Sequence, residues 1–143
     1  MSADMVRLPR EQMSMIRTAG KALSNWTAED LGSDPSWRIV LNSEARADIE
    51  NELRRLYRPD RPLLEYDARA VDLGRAAAPV AEVFHQALHG RGIGLLRNLP
   101  REGVSEQEFA FLTWMIGLTQ GVARPQNRKS EYLSAVRDIG TDY

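Results

Sequence analysis

Gly90-Arg91-Gly92-Ile93-Gly94-Leu95-Leu96-Arg97-Asn98-Leu99-Pro100 is the stretch that decides the architecture. Gly90 suits the left-handed residue that closes a helix. Gly92–Leu96 reads as a strand, and its glycines imply close backbone packing. Asn98-Leu99-Pro100 turns the chain. A phosphate-binding loop needs strand, glycines, Lys and Ser or Thr, then helix. Here the order is helix, glycines, strand, so helix capping with tight packing is the better reading.

Immediately upstream, Val80, Val83, Phe84, Ala87 and Leu88 recur at helical spacing and predict a helix from Ala76 to His89. Further back, Trp37–Leu41 is short and rich in strand formers. Asn42 or Ser43 then caps a helix from Glu44 to Tyr57, with Ala45, Ile49, Leu53 and Leu56 on one face. Arg54, Arg55 and Arg58 suit its C-terminal end, and Pro59 and Pro62 stop it. Residues 58–75 form a linker expected to run extended, with Leu63, Leu64 and Tyr66 as anchors. Trp26–Leu31 looks like a helical turn capped by Thr27. Residues 1–25 are a poorly defined tail or short helix.

Downstream, Ser105 and Glu108 have the spacing of a capping box. The helix it opens carries Phe109, Leu112, Trp114, Met115 and Ile116, an apolar surface broad enough to be buried on more than one side. Pro125–Ser130 is a polar loop, and Tyr132–Val136 alternates in the manner of a strand.

Composition narrows the function. The 143 residues favour one domain with a real core. A net charge of -1 supplies no field for nucleic acid or an anionic membrane. With no cysteine, thiolate metal sites and cysteine nucleophiles are excluded. The first 17 residues lack the apolar core of a signal peptide, and no run approaches a membrane span, so a cytoplasmic location is expected.

Three segments in order resemble a known family, the TauD/TfdA-type (taurine dioxygenase-like) iron(II)/2-oxoglutarate dioxygenases. They are Gly90–Pro100, the helix ending Trp114-Met115-Ile116-Gly117-Leu118, and Pro125-Gln126-Asn127-Arg128-Lys129 followed by Val136–Tyr143. The order of elements before them also matches, so the resemblance covers Trp37–Tyr143. It implies an α+β chain holding the N-terminal helices and first strands of a double-stranded β-helix, or jelly roll. It also implies oxidation or hydroxylation of a small molecule with Fe(II) and 2-oxoglutarate. Such enzymes hold iron with two His and one carboxylate, beginning with His-x-Asp or His-x-Glu. In this chain the residue two beyond His85 is Ala87, and two beyond His89 is Arg91. The resemblance therefore implies that residues 26–143 are the N-terminal portion of such a domain, truncated before the metal-binding motif. It implies a chain inactive alone, without bound cofactor, that self-associates or needs a complementary C-terminal chain. The alternative is a non-catalytic interaction module.

Gln126 and Asn127 are the candidate substrate-binding residues, since amide side chains in a loop beyond a buried helix can orient a ligand. Against this stands a loop whose Asn caps its own turn. Glu82, His85 and His89 share one side of a helix, but a metal site needs about four ligands, and a polar stripe is the better reading. Arg54, Arg55, Arg58 and Arg61 lie among acids and read as a solvated face. Arg137 and Asp138 suit a structural pair. Two histidines on one helix give no Ser-His-acid arrangement.

Overall fold

The computed structural model describes residues 25–136 and residue 140. It contains helices and one small sheet, in the order α1 (Ala28–Ser33), β1 (Arg38–Val40), α2 (Ser43–Leu56), α3 (Ala77–His89), β2 (Leu95–Arg97) and α4 (Glu106–Leu118). The chain divides into two compact units, Met1–Val40 with Pro79–Arg97, and Leu41–Ala78 with Asn98–Tyr143. The proposed tail lies almost wholly outside the described residues, as do Arg137 and Asp138.

In the first unit β1 and β2 pair in parallel, with Arg38 opposite Leu95, Ile39 opposite Leu96 and Val40 opposite Arg97. Parallel neighbours need a long crossover, and residues 41–94 supply it. Ile39 and Leu96 are half-buried, whereas the other four sheet residues are exposed. Val80 and Val83 are the buried residues of α3. Gly94 is where that helix and β2 meet: a Cβ there would stand 2.5 Å from the Val83 carbonyl oxygen, which only glycine avoids. The left-handed residue after α3 is Gly92, at φ 78°, and not Gly90. Gly90 donates to the Gln86 carbonyl at 3.1 Å, which continues the helical bond pattern one residue past His89.

The start of this unit is tied down by side chains. Thr27 and Asp30 form a reciprocal capping box on α1. Trp37 is buried and its Nε1 donates to the Leu31 carbonyl at 3.1 Å. Arg91 pairs with Asp34 at 2.7 Å, and its own carbonyl accepts from Trp26 Nε1 at 2.9 Å. Arg91 thereby holds Asp34 down to about 2.

The second unit holds the larger core. Asn42 caps α2 by accepting from the Ala45 N–H, and Ala45, Ile49 and Leu53 are buried as the spacing predicts. Ser105 and Glu108 form the expected capping box, and α4 buries Phe111, Leu112, Trp114, Met115 and Ile116. Burial on so wide an arc confirms that α4 is covered on more than one side. Phe111 is packed by Tyr66 and Tyr57, with ring centroids 4.5 and 5.6 Å away.

Residues 58–75 are not extended. Short 3₁₀ turns at Leu63–Glu65, Ala68–Ala70 and Gly74–Ala76 fold them back along α2. Tyr66 is the anchor foreseen, buried with its hydroxyl accepting from the Arg58 N–H at 2.9 Å. Leu64 is exposed, and buried Leu73 takes the second anchoring role. Asn98 makes the turn after β2 at φ 68°, donating to the Leu41 carbonyl at 2.7 Å and accepting from Arg46 at 3.1 Å. The strand expected at Tyr132–Val136 is absent: those residues are irregular and Val136 is fully exposed. Alternation alone does not make a strand where no neighbour supplies hydrogen bonds.

Candidate functional site

The loop that follows α4 carries Gln126 and Asn127. Thr119 closes the helix, its hydroxyl donating to the Ile116 carbonyl at 2.7 Å. The chain then runs without regular structure to a tight turn at 126–131. Gln126 N–H donates to the Glu131 carbonyl at 2.7 Å, and Ser130 N–H to the Asn127 carbonyl at 3.1 Å. Ser130 sits at φ 61°.

Asn127 organises this turn. Its Oδ1 accepts from the Lys129 and Glu131 N–H groups at 2.9 and 3.2 Å, and its Nδ2 donates to the Glu131 carboxylate. That carboxylate also accepts from the Ser134 hydroxyl at 3.2 Å. An Asn side chain has two acceptor lone pairs and two donors, so most of its capacity is spent inside the loop. Gln126 is exposed and different. Its Nε2 donates to the Arg124 carbonyl at 3.1 Å, while Oε1 has no donor among the described residues. Of the two amides, Gln126 is therefore the one with an acceptor open to a ligand.

Tyr132 pins the loop to α4, meeting Trp114 edge to face with centroids 6.1 Å apart. Trp114 is only 6% exposed, and its Nε1 is buried without an acceptor among the described residues. In the sequence Trp114 reads as one apolar residue of the helix, and helical spacing does not reveal this N–H. The available signal was the residue type, because a buried indole carries a donor that ordinarily finds a partner.

Glu82, His85 and His89 do share one side of α3, and all three are exposed. The two imidazole centroids lie 5.2 Å apart. Glu82 is engaged locally, accepting from Gln86 Nε2 at 2.8 Å. No group of three or more His, Cys, Asp or Glu side chains converges among the described residues. Two exposed imidazoles one helical turn apart do not fit the two-His, one-carboxylate set that iron(II) of this chemistry requires. The basic cluster is likewise occupied. Arg55 grips Glu52 at 2.6 Å, Arg58 donates to the Tyr57 carbonyl at 2.6 Å, and Arg61 stacks on Tyr66 at 4.6 Å. No helix among the described residues is long and apolar enough to cross a membrane.

No protein-family model matches the chain. Among curated proteins it is similar to FR-33289 synthase of Streptomyces rubellomurinus, with 31% identity over 117 residues. The match takes in 82% of this chain and 34% of that protein. The chain thus spans about a third of the length of the curated relative it matches.

Proposed function

We propose that this chain is the N-terminal portion of an iron(II)/2-oxoglutarate-dependent dioxygenase acting on a small molecule, and is inactive alone. The observation that carries the reading is the similarity to FR-33289 synthase, which runs through 82% of the chain. The ordered set of motifs from Gly90 to Tyr143 points to the iron(II)/2-oxoglutarate dioxygenases. In this reading the chain belongs to a double-stranded β-helix whose remaining strands come from elsewhere, and iron and 2-oxoglutarate are held by residues outside this segment. The residues present do not fit the metal, so no chemical step is assigned to them. The role left to this chain is positional: Gln126 Oε1 accepts a hydrogen bond from the substrate, and Asn127 holds the loop that presents it.

A chimera tests the reading. The chain replaces the matching third of FR-33289 synthase, and succinate formation from 2-oxoglutarate is followed with and without Fe(II). Iron-dependent succinate is expected from the chimera and none from the chain alone. A folded, iron-loaded chimera that makes no succinate would overturn the proposal, as would succinate from the isolated chain.

A second reading is a non-catalytic module that pairs with a complementary chain. It is favoured by the exposed face of the β1–β2 sheet, where Val40 is 61% and Leu95 42% exposed. A chain that folds only when the remaining two thirds of the relative is added as a separate polypeptide, in a complex that never turns over, is the outcome that separates it from the first.

A further inference from the structure

The two strands pair so that Arg38 stands beside Leu95 and Val40 beside Arg97. Paired residues of a parallel ladder lie on the same face. The exposed face of the sheet is therefore a checkerboard: a cation and an apolar side chain alternate both along each strand and across the pair. The opposite face, Ile39 with Leu96, is the half-buried one. Parallel sheets are ordinarily covered on both faces, and a pair of three-residue strands has little stability of its own. Neither Arg38 nor Arg97 enters an ion pair among the described residues. Arg38 lies over the Trp37 ring at 4.5 Å, a contact that holds its stem and leaves the edge of the guanidinium free for a carboxylate.

We infer that this face docks a β-hairpin each of whose arms turns a carboxylate and, two residues on, an apolar side chain toward the sheet. Successive side chains of a strand point to opposite faces, so residues two apart face the sheet together, and the antiparallel arms set acids over Arg38 and Arg97 and apolar groups over Val40 and Leu95. A purely apolar layer would cover two guanidinium groups without pairing them, which costs more than it gains. A purely acidic one would leave Val40 and Leu95 uncovered. The inference rests on the reading of this chain as one that pairs with a complementary segment, and it goes further by naming the surface and the chemistry of what fills it.

Two hairpin peptides, one with Glu-Thr-Val and one with Lys-Thr-Val in each arm, are titrated into the full chain while the backbone amide resonances of Val40 and Leu95 are followed. The Glu-Thr-Val peptide is expected to shift both resonances and to bind at least about fivefold more tightly than the Lys-Thr-Val peptide. In the Arg38→Glu, Arg97→Glu variant the preference reverses. An Arg38→Gln, Arg97→Gln variant, which removes charge without inverting it, loses the preference and keeps the fold. Equal binding of both peptides, binding of neither, or a preference unchanged by charge reversal would overturn the inference. None of these readouts depends on turnover, so a failed chimera and a failed titration are told apart.

Discussion

Arg75 holds Asp48 three times: its Nε and backbone N–H each donate to Oδ2 at 2.8 Å, and Nη2 donates to Oδ1 at 2.7 Å. This contact fastens the end of the 58–75 segment to the middle of α2. Gly74 makes it geometrically possible. Its φ is +53°, and a Cβ there would lie 2.6 Å from Asp48 Oδ2, so a larger residue would be strained and would displace the carboxylate.

Acid should loosen this fastening. The Arg75 side chain, then its backbone N–H, hold the Asp48 carboxyl at about 2, against an ordinary value of 3.8. A depressed carboxylate contributes stability that is present above its unfolded value and is lost as pH falls through its folded one. Urea midpoints of the native chain should therefore drop as pH goes from about 4 to about 2. The Asp48→Asn chain should start lower at neutral pH and fall less across that window. Parallel pH curves for the two proteins would show that the Arg75 contact contributes nothing.

Glu52 is a different case, because its side chain is only 6% exposed. Burial works against its charge, yet two hydrogen bonds from Arg55 and one from the Asp72 N–H at 2.7 Å prevail, and its carboxyl lies below the usual range. Replacing Glu52 with Gln keeps an acceptor for Asp72 but removes the charge that Arg55 meets. A loss of about 1 to 2 kcal/mol is expected by urea denaturation. Glu50, which meets Arg46 and Arg54 nearer solvent, should cost less than about 0.5 kcal/mol on the same change. Equal losses at the two positions would mean that burial of Glu52 is not what matters.

What the sequence made legible follows from how local each signal is. Caps and helix faces depend on residues three or four apart, and Asn42, Ser105 with Glu108, and Ile49 all appear where their spacing put them. Features set by distant partners were harder. Phe111 went unnamed, although Tyr57 and Tyr66 make it one of the most buried side chains. Helical spacing puts Phe84, Leu88, Trp114 and Ile116 on apolar faces, and with so few strands to cover them the sequence predicts that all four stay partly exposed. Trp114 and Ile116 are instead buried, Phe84 is half-buried, and Leu88 is 73% exposed. The sequence showed that α4 was apolar on most sides but not that residues packed around it would suffice to cover it. At the candidate site the turn chemistry of Asn127 was readable from its residue type, whereas the open acceptor on Gln126 depends on where Arg124 falls.

Trp114 offers a test of the buried donor. Trp114→Phe removes the N–H along with part of the ring. Lost packing costs stability, and relief of an unmatched N–H returns about 1 to 3 kcal/mol. The two nearly cancel, so the variant should unfold within about 1 kcal/mol of the native chain. A loss above about 3 kcal/mol would show that the N–H has an acceptor in solution. Tyr132→Leu leaves the indole N–H in place and removes the edge-to-face contact, so its cost reports that ring contact.

The exposed checkerboard also governs how the chain behaves without a partner. Val40, Leu95 and Leu88 present apolar surface in the first unit, and a two-stranded sheet has open edges. Self-association at high concentration is the expected result, seen as a concentration-dependent elution volume in size-exclusion chromatography. Two copies that meet through this face bring Arg38 and Arg97 of one toward those of the other. Salt screens that repulsion, so association should strengthen as salt rises. Docking of an acidic segment on the same face should weaken under the same conditions, because there the charges attract. Replacing Val40 and Leu95 together with Thr should leave far-UV dichroism unchanged and shift the chain toward monomer. A native chain that stays monomeric at every concentration, with a sharp cooperative transition at high temperature, would establish a self-sufficient domain and favour the non-catalytic module over the dioxygenase portion.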